Sequence, residues 1–449
     1  MSDFDVVKYG GSVLKDASSF RAAAEYQMRR SRVALVSAPA GVTNQLMDIY
    51  DGKNQSLLPR LKDTYWKFVE DLPQRLGAQA MRELEKEVEH LSLYLDIGAR
   101  DAFVGSGEGH AAIILSSHIN ALGGDSEFIR GPDAVFYLNG HGLPDMENGR
   151  ESFGPVREKL ESGKIVVVGG YLGRHNTTGQ HKLGARNVND AFAAALAGAL
   201  DAVAVEIIKD VPGVYRVPPE FGNYGLLEQL SYDEARKMSW RGSPVVHPGA
   251  VRIGQNKKIP IIVKSMDSTG TLITADSLAT AERPVAALVA EITTMITVLD
   301  DIMDSPEGRG YVAALNQFEL ENDTSIGMIA SDVGSISYTI SMGDKKRQKG
   351  DAEAMLEDHN KRLAAHLNSH GYKPVVRGQE VGVISVVGDG MQNRLGMLST
   401  LSGMLTNSHI SVRAAAQSDE KYAPPSITFV VDADKLERGV KALAKELFL

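Results

Sequence analysis

Residues 4–12 read Phe4-Asp5-Val6-Val7-Lys8-Tyr9-Gly10-Gly11-Ser12, and the rest of the chain is best understood from this run outward. An apolar run with valines and an aromatic residue predicts a buried strand, which the paired glycines end. A helical pattern follows over residues 18–30. Glycines let backbone N–H groups approach an anion closely, and a lysine at the strand tip is a mobile point charge suited to a phosphate. The alternative interpretation is a strand that ends in a tight turn.

The composition limits the class of protein. A chain of 449 residues with 43% hydrophobic and 23% charged residues predicts two or three soluble globular domains. The formal net charge of −9 argues against general binding to nucleic acid or to an anionic membrane. Because the chain has no cysteine, disulfides, thiolate metal sites and a cysteine nucleophile are excluded. We find no signal peptide and no apolar run of about 18 residues, so we expect a cytoplasmic protein without a membrane span.

Strand, loop and helix follow one another twice near the beginning. A second short strand over 33–37 opens into a Gly/Pro loop, and a helix is expected from Gln45. Repeated units of this kind predict a parallel sheet, which binds ligands at the carboxyl ends of its strands, where Lys8 and Thr43 fall. Thr43 or Asn44 could equally cap the helix. Residues 57–100 have long helical patterns and predict an insertion packed on the sheet.

Glu108 stands alone among small residues at a predicted helix start, in the run 104–112. A glutamate there could complement the helix dipole, or it could hold the amino group of a substrate. We expect the neighbouring His110 to be a partly exposed helix residue rather than a catalyst.

The middle of the chain contains the clearest buried strand, 165–168, followed by a predicted hairpin or loop over 175–182. Arg186 comes just before the next predicted helix, 191–200, and suits a carboxylate or a phosphate there. Asn189 and Asp190 could simply cap that helix. Strands over 203–208, 259–264 and 270–273 complete this region.

Beyond a polar linker at 274–284, shorter strands and helices recur. Strands are expected over 286–291 and 294–299. A βαββα unit is predicted from strands over 381–387, 410–415 and 427–431 and helices over 395–406 and 433–447. A looser copy lies near 286–370. Small ferredoxin-like units of this type commonly bind ligands or dimerise.

The order of motifs resembles the aspartate kinases of the amino-acid-kinase family over nearly the whole chain. The motifs are Lys8-Tyr9-Gly10-Gly11-Ser12, residues 36–44, Gly107-Glu108, residues 170–174, residues 210–215 and Val246-His247-Pro248. The C-terminal units resemble the paired ACT domains that follow the kinase in that family.

This resemblance implies an α/β fold. It consists of a three-layer αβα sandwich with a mainly parallel central sheet, followed by two ferredoxin-like βαββαβ ACT domains. The expected boundaries are 1–280 for the catalytic domain, 285–375 for the first ACT-like domain and 376–449 for the second.

The resemblance also implies a phosphotransferase. The γ-phosphoryl group of ATP would pass to the β-carboxylate of L-aspartate, giving 4-phospho-L-aspartate in the first step of lysine, threonine and methionine biosynthesis. Mg²⁺ would be carried with the nucleotide, and no protein-only metal site is expected. A homodimer or higher homo-oligomer and an amino-acid effector at the ACT domains are also implied.

Family roles carry over to particular positions. The catalytic residues would be Lys8, Arg186 and Asp190. The substrate would be bound by Thr43, Asn44, Glu108 and Arg186. The nucleotide would be bound by Lys8, Gly10, Gly11, Ser12, Lys209, Asp210 and Tyr215.

Several departures from the family pattern keep other interpretations open. Val13 replaces a usual hydroxyl residue, the loop 184–190 is one residue longer than in the family and lacks paired glycines, and Pro244 stands where a lysine is normal. Lys209, where threonine is typical, could supply that missing ammonium group, or it could simply be solvent-exposed beside the adenine pocket. The alternatives are a kinase for another small carboxylate in a specialised pathway and a weakly catalytic, amino-acid-binding regulatory subunit.

Overall fold

The computed structural model describes residues 4–52, 54–134, 136–145, 153–185, 187–240, 246–300, 310–321, 325–332, 334–341, 351–391, 394–418 and 426–449. Within this part, the chain divides into two compact units. The first takes Met1–Val214, Leu226–Ser239 and Pro244–Leu278, and the second takes Tyr215–Gly225, Trp240–Ser243 and Ala279–Leu449. The division into one catalytic and two ACT-like domains stays a prediction.

An eight-stranded sheet forms the centre of the first unit. Numbered in chain order and given in their spatial order, its strands are β3 (Ser126–Ile129), β5 (Ile165–Gly169), β2 (Val33–Val36), β1 (Val6–Tyr9), β8 (Val205–Ile208), β10 (Ile261–Lys264), β11 (Thr271–Thr274) and β9 (Gln229–Ser231). Neighbouring strands run parallel except for the antiparallel pair β10 and β11. Strand β1, which carries Lys8, lies between β2 and β8 inside this sheet. The mainly parallel central sheet predicted from the sequence is confirmed.

Helices accompany this sheet. They are α1 (Ala17–Arg30), α2 (Val42–Asp51), α3 (Leu58–Val69), α4 (Gln74–Asp96), α5 (Arg100–Val104), α6 (Ser106–Ala121), α7 (Gly131–Ala134), α8 (Gly154–Glu161), α9 (Asn189–Ala199), α10 (Tyr232–Trp240) and α11 (Pro248–Lys257). Helix α1 begins at a capping box in which the Asp16 carboxylate accepts a hydrogen bond from the Ser19 N–H and the Ser19 hydroxyl accepts one from the Asp16 N–H. The predicted helical insertion over 57–100 is confirmed by α3 and α4.

Strand alternation assigns the two faces of β1 to different helices. Tyr9 is fully buried, and its hydroxyl donates to the carbonyl of Ala23 in α1 at 3.1 Å. Lys8 points to the opposite face, where its ammonium group meets Asp190 of α9. The run of residues 6–9 therefore secures α1 with one face and presents a charge on the other.

A small second sheet lies in the first unit. It joins β4 (Tyr137–Leu138), β6 (Leu172–His175) and β7 (His181–Leu183). Strands β6 and β7 are antiparallel, so the predicted hairpin is confirmed.

The second unit is built on a six-stranded, fully antiparallel sheet. In spatial order its strands are β13 (Ser325–Asp332), β14 (Ser335–Ser341), β12 (Ala287–Leu299), β15 (Val375–Val387), β17 (Ser426–Asp432) and β16 (Ala414–Ser418). Its α-helices are α12 (Tyr311–Glu321), α13 (Asp351–Ser369), α14 (Met397–Asn407) and α15 (Leu436–Phe448). The βαββα order occurs twice along the chain, first from β12 to α13 and then from β15 to α15, as predicted.

Two predicted elements of this unit were wrong in detail. The strands expected over 286–291 and 294–299 are one continuous strand, β12, which pairs with β15 along all thirteen of its residues. This pairing joins the two repeats in one sheet. The strand expected over 410–415 begins later, at Ala414. No helix among the described residues is long and apolar enough to cross a membrane.

Candidate active site

A buried ion pair lies at the carboxyl end of strand β1. The Nζ atom of Lys8 is 2.9 Å from Oδ1 of Asp190, and each side chain is less than one tenth exposed. The first turn of α9 supplies Asp190, and the backbone N–H of His247 donates to its Oδ2 at 3.1 Å. Burial acts to raise the pKa of Asp190, but the charges of Lys8 and Lys209 outweigh it and hold the pKa at about 2. Asp190 is therefore ionised at neutral pH.

The paired glycines differ in what they permit. A Cβ atom on Gly11 would lie 2.6 Å from the carbonyl oxygen of Ala38, so only glycine fits there. A Cβ on Gly10 would lie 3.6 Å from Nζ of Lys8, and the absence of a side chain keeps that flank of the ammonium group open. The Gly10 N–H donates to the Ile208 carbonyl at 3.2 Å, and the Ser12 side chain is exposed. The turn thus gives a ligand access to Lys8.

Glu108 lies in the first turn of α6 and is 4% exposed. The side-chain amide of Asn189 donates to Glu108 Oε1 at 3.4 Å and to the Ser37 hydroxyl at 3.0 Å. Burial raises the pKa of Glu108 to about 8, although hydrogen bonds from the Ala38 backbone and from Asn189 and the charge of Lys8 act the other way. Glu108 is therefore mostly protonated at neutral pH until a cation reaches it.

Lys209 follows directly after β8. Ile207 is paired with Lys8 across the two parallel strands, so Lys209, two residues later, lies on the same face as Lys8. Burial lowers the pKa of the Lys209 ammonium group, and so does the charge of Lys8, whereas Asp190 acts in the opposite direction. The predicted residues Lys8, Asp190 and Lys209 thus form one charged cluster.

Four other predicted site residues are half-buried or exposed, and one of them belongs to the second unit. Thr43 is half-buried and Asn44 is exposed, both in the first turn of α2, which follows Gly41 at a φ of 83°. Asp210 is exposed. Tyr215 belongs to the second unit, so its nucleotide contact stays a prediction.

Two positions singled out from the sequence lie outside the described residues. They are Arg186 and Pro244. The proposed carboxylate contact of Arg186 therefore stays a prediction.

Two interpretations made from the sequence were wrong. Asn189 and Asp190 do not cap α9, because the N-cap position is Val188 and no side chain caps there. His110 is fully buried rather than partly exposed, and its Nδ1 lies 2.5 Å from the Tyr65 hydroxyl. Burial lowers the pKa of His110 to about 3, so the ring is neutral and serves packing between α3 and α6.

Three residues of the site were not assigned to it from the sequence. Asn189 and Ser37 support Glu108, and His247 supports Asp190 through its N–H while its ring accepts from Gly249 to cap α11. Nothing in the motif Val246-His247-Pro248 indicates a contact made by the backbone of His247. Among the described residues, no group of three or more His, Cys, Asp or Glu side chains could hold a metal ion.

Two family models match the chain. The one described as the amino acid kinase family matches residues 4–265, more than half of the chain. One described as an ACT domain matches residues 384–447.

Named relatives and solved structures match along nearly the whole chain. It is 26% identical over 453 residues to an aspartokinase of Corynebacterium efficiens, covering 99% of this chain and 96% of that protein. It is 25% identical over 472 residues to a bifunctional aspartokinase/homoserine dehydrogenase of Haemophilus influenzae, covering 99% of this chain but only 56% of the relative.

Crystal structures of E. coli aspartokinase III share the fold. The form with lysine and aspartate has a TM-score of 0.81 and the form with aspartate and ADP a TM-score of 0.77. Both are 20% identical, and each match covers all of both chains. At 20% identity these structures show a shared fold, whereas the family model matches more than half of the sequence and includes both Lys8 and Asp190. The chain therefore belongs to the amino acid kinase family.

Proposed function

We propose that the protein transfers the γ-phosphoryl group of ATP to the β-carboxylate of L-aspartate and so forms 4-phospho-L-aspartate and ADP. The observation that carries this proposal is the buried Lys8–Asp190 pair, next to a glycine turn at the carboxyl end of a parallel strand. Support also comes from the relatives named aspartokinase and from the E. coli enzyme that binds aspartate and ADP.

The reaction needs positioning and charge stabilisation rather than a base. An oxygen of the β-carboxylate attacks the γ-phosphorus, the bond to the β,γ-bridging oxygen breaks, and ADP leaves with that electron pair. The attacking carboxylate is already ionised, so no proton has to be removed. Lys8 then neutralises charge that develops on the transferring phosphoryl group, and Asp190 holds the ammonium group in place.

Glu108 is the group we assign to the substrate's α-ammonium. It is buried, carboxylic and close to Lys8 on the same site, and its Oε2 has no hydrogen-bond partner among the described residues. An ammonium group that enters would pair with it and favour its ionised form.

Mg²⁺ enters this scheme bound to the nucleotide phosphates, since the ion keeps much of its hydration and is usually held by substrate phosphates with one or two carboxylates. Asp190 is ionised and could be one such carboxylate, although both of its oxygens already have partners. The ion supplies further neutralisation of the phosphates.

The second unit is assigned to regulation. An ACT-domain match over 384–447 supports an amino-acid effector there. A place in lysine, threonine and methionine biosynthesis and a cytoplasmic location follow from the resemblance to the aspartate kinases. A homodimer or higher homo-oligomer follows the same expectation. Sedimentation of the full chain measures the oligomeric state, and a change on addition of lysine or threonine would identify an effector.

The main experiment is an ATP-dependent hydroxamate assay, which traps an acyl phosphate, with aspartate, glutamate and N-acetylglutamate as acceptors. We expect turnover on aspartate alone, and the Lys8→Ala variant purified in parallel excludes a contaminating kinase. Turnover on another acceptor would replace aspartate as the substrate. Aspartate binding without turnover on any acceptor would reject the kinase and favour the regulatory subunit.

A further inference from the structure

Asn189 links three parts of the site. Its Nδ2 donates to the Ser37 hydroxyl after strand β2 at 3.0 Å and to Glu108 Oε1 in helix α6 at 3.4 Å. Asn189 is the first residue of helix α9 and is 8% exposed. This buried amide joins its own helix to two other parts of the chain and does not cap that helix. Its role is therefore to be sought in the binding of a ligand.

We propose that Asn189 is a positioning residue that fixes the Glu108 carboxyl group, so that one oxygen is held by the protein and the other is presented to the ammonium group of the acceptor substrate. This inference rests on the proposed function, because that function supplies the ammonium-bearing acceptor. The role belongs to Asn189 itself and not to its place at the start of a helix.

The unpaired atoms around Asn189 indicate which kind of ligand fits. Among the described residues, Glu108 Oε2 and Asn189 Oδ1 are buried and have no hydrogen-bond partner. Once Glu108 has lost its proton, both atoms are acceptors, and leaving acceptors buried without a donor is costly unless a ligand supplies one. A primary ammonium group carries three donors and a positive charge, which suits a carboxyl and an amide oxygen together.

Gly170 gives independent support, because it makes room for Asn189. A Cβ atom on Gly170 would lie 2.2 Å from Asn189 Oδ1 and 3.1 Å from a methyl group of Leu35. Real Cβ atoms do not approach so closely, so any side chain at Gly170 would displace the amide. The glycine after strand β5 is thus matched to the asparagine opposite it.

The test is a double-mutant cycle read in the KM for aspartate. Asn189→Ala should raise this KM by about tenfold, as expected for loss of a hydrogen bond to a charged group, with little change in the KM for ATP. Gly170→Ala should raise it by a similar factor. The double variant should be no worse than Asn189→Ala, because the amide that the new methyl group would displace is then absent and only the 3.1 Å contact with Leu35 remains.

Gly169→Ala is the matched control. Its Cβ would lie 3.0 Å from backbone atoms of Glu108 and Gly109 rather than near Asn189, so Asn189→Ala should not relieve its effect. Additive effects of Gly170→Ala and Asn189→Ala would overturn the inference, as would equal rises in both KM values.

Asn189→Asp gives a reading that does not depend on the glycine variants folding. A carboxylate beside Glu108 disfavours ionisation of Glu108, so the pH at which the KM for aspartate improves should move upward by about one unit or more. An unmoved profile would show that the side chain at position 189 does not contact the Glu108 carboxyl group, and it would overturn the inference.

Calorimetry separates this inference from the proposed function. If the parent binds aspartate without turnover, the proposed function fails, and the same variants read in aspartate affinity still test Asn189. If the parent turns over aspartate but the variants behave additively, only the inference fails. If the parent neither turns over nor binds aspartate, both fail.

Discussion

Two clusters of buried polar side chains, one in each unit, contain similar groups but differ in whether those groups have hydrogen-bond partners. The site cluster consists of Lys8, Glu108, Asn189 and Asp190. The C-terminal cluster consists of Glu319, Tyr338 and His359, where Glu319 Oε1 accepts from the Tyr338 hydroxyl at 2.7 Å and lies 3.1 Å from Nε2 of His359. Almost fully buried carboxyl groups occur in both, two in the site cluster (Glu108 and Asp190) and one in the C-terminal cluster (Glu319).

The difference lies in what remains unpaired. In the C-terminal cluster the three side chains meet one another inside the core formed with Phe318, Leu363 and Leu367. In the site cluster two acceptors, on Glu108 and Asn189, have no partner within the described part of the chain. Buried polar groups that satisfy each other hold a core together, whereas an unpaired carboxyl oxygen beside an unpaired amide oxygen suits a ligand with several donors. Mutations should therefore affect stability in one cluster and substrate use in the other.

Removal of the Lys8 ammonium group should have the largest effect. Lys8→Ala should lower turnover on the order of a hundredfold or more, because charge on the transferring phosphoryl group loses its stabilisation. Lys8→Arg should not restore it, since a planar guanidinium group does not fit a compact ammonium site. Steady-state kinetics at saturating ATP and aspartate measure both variants.

A control separates this catalytic loss from a loss of stability. Lys8→Ala leaves the buried Asp190 carboxylate poorly compensated, which should cost about 3 kcal/mol of folding free energy. Lys8→Ala combined with Asp190→Asn should regain stability but not turnover. Near-normal turnover of the single variant would contradict the role of Lys8. The site cluster would then affect stability alone, as we expect of the C-terminal cluster.

Glu108→Gln should act on aspartate alone. The KM for aspartate should rise by roughly tenfold to a hundredfold, the range for losing a hydrogen bond between charged groups, while the KM for ATP stays near that of the parent. Equal damage to both constants would indicate that Glu108 only supports the start of α6.

The pH dependence sharpens the same test. With a pKa of about 8 in the ligand-free site, Glu108 must lose a proton to pair with an ammonium group. Below that pH the pairing becomes easier as the pH rises, by up to tenfold in affinity per unit, and it levels off above about 8. Glu108→Gln should abolish this slope in the KM for aspartate. A slope that survives the substitution assigns it to another group.

Much of the site's framework could be predicted from the sequence, because it is local. The strand that carries Lys8, the glycine turn and the first helical turn that contains Glu108 each depend on neighbouring residues, and all three are found as predicted. Their assembly is not local. Asn189 meets Glu108 only because β2, α6 and α9 come together, and the letters around Asn189 are equally compatible with a helix cap.

The two errors in burial and strand length have the same origin. His110 was expected to be partly exposed, yet α6 is buried along most of its length, because its small residues let it lie against the sheet and α4. The residues after Glu291 predict a break between two strands, but the pairing of β12 with β15 continues through them. Tertiary pairing overrides a local pattern in both cases.

Tyr338→Phe tests the satisfied cluster and should cost about 1–3 kcal/mol of stability, because the buried Glu319 loses a donor. The KM values for aspartate and ATP should not change. Tyr9→Phe is a matched control in the first unit, since the Tyr9 hydroxyl donates to the neutral acceptors Ala23 O and Gln27 Oε1 and should cost less. Thermal unfolding of the full chain measures both. A changed KM for aspartate with unchanged stability would break the comparison.

The smallest expected effect concerns Lys209, which adds positive charge to the site cluster. Lys209 lies on the Lys8 face of the sheet and helps keep Asp190 ionised, so we expect it to neutralise nucleotide phosphates. Lys209→Thr should then raise the KM for ATP severalfold, consistent with about 1 kcal/mol for a partly solvated charge, and leave the KM for aspartate near the parent value.

Lys264→Thr provides the matched control for Lys209→Thr, because it removes the same charge from the end of the adjacent strand. Lys264 is paired with Ile208 and therefore lies on the opposite face, where its Nζ is 5.6 Å from the centre of the Tyr26 ring. If proximity to the site matters, the KM for ATP should respond to Lys209→Thr and not to Lys264→Thr. Equal responses would mean that the nucleotide senses only the general charge of this edge. No response to either would show that Lys209 does not neutralise the nucleotide phosphates.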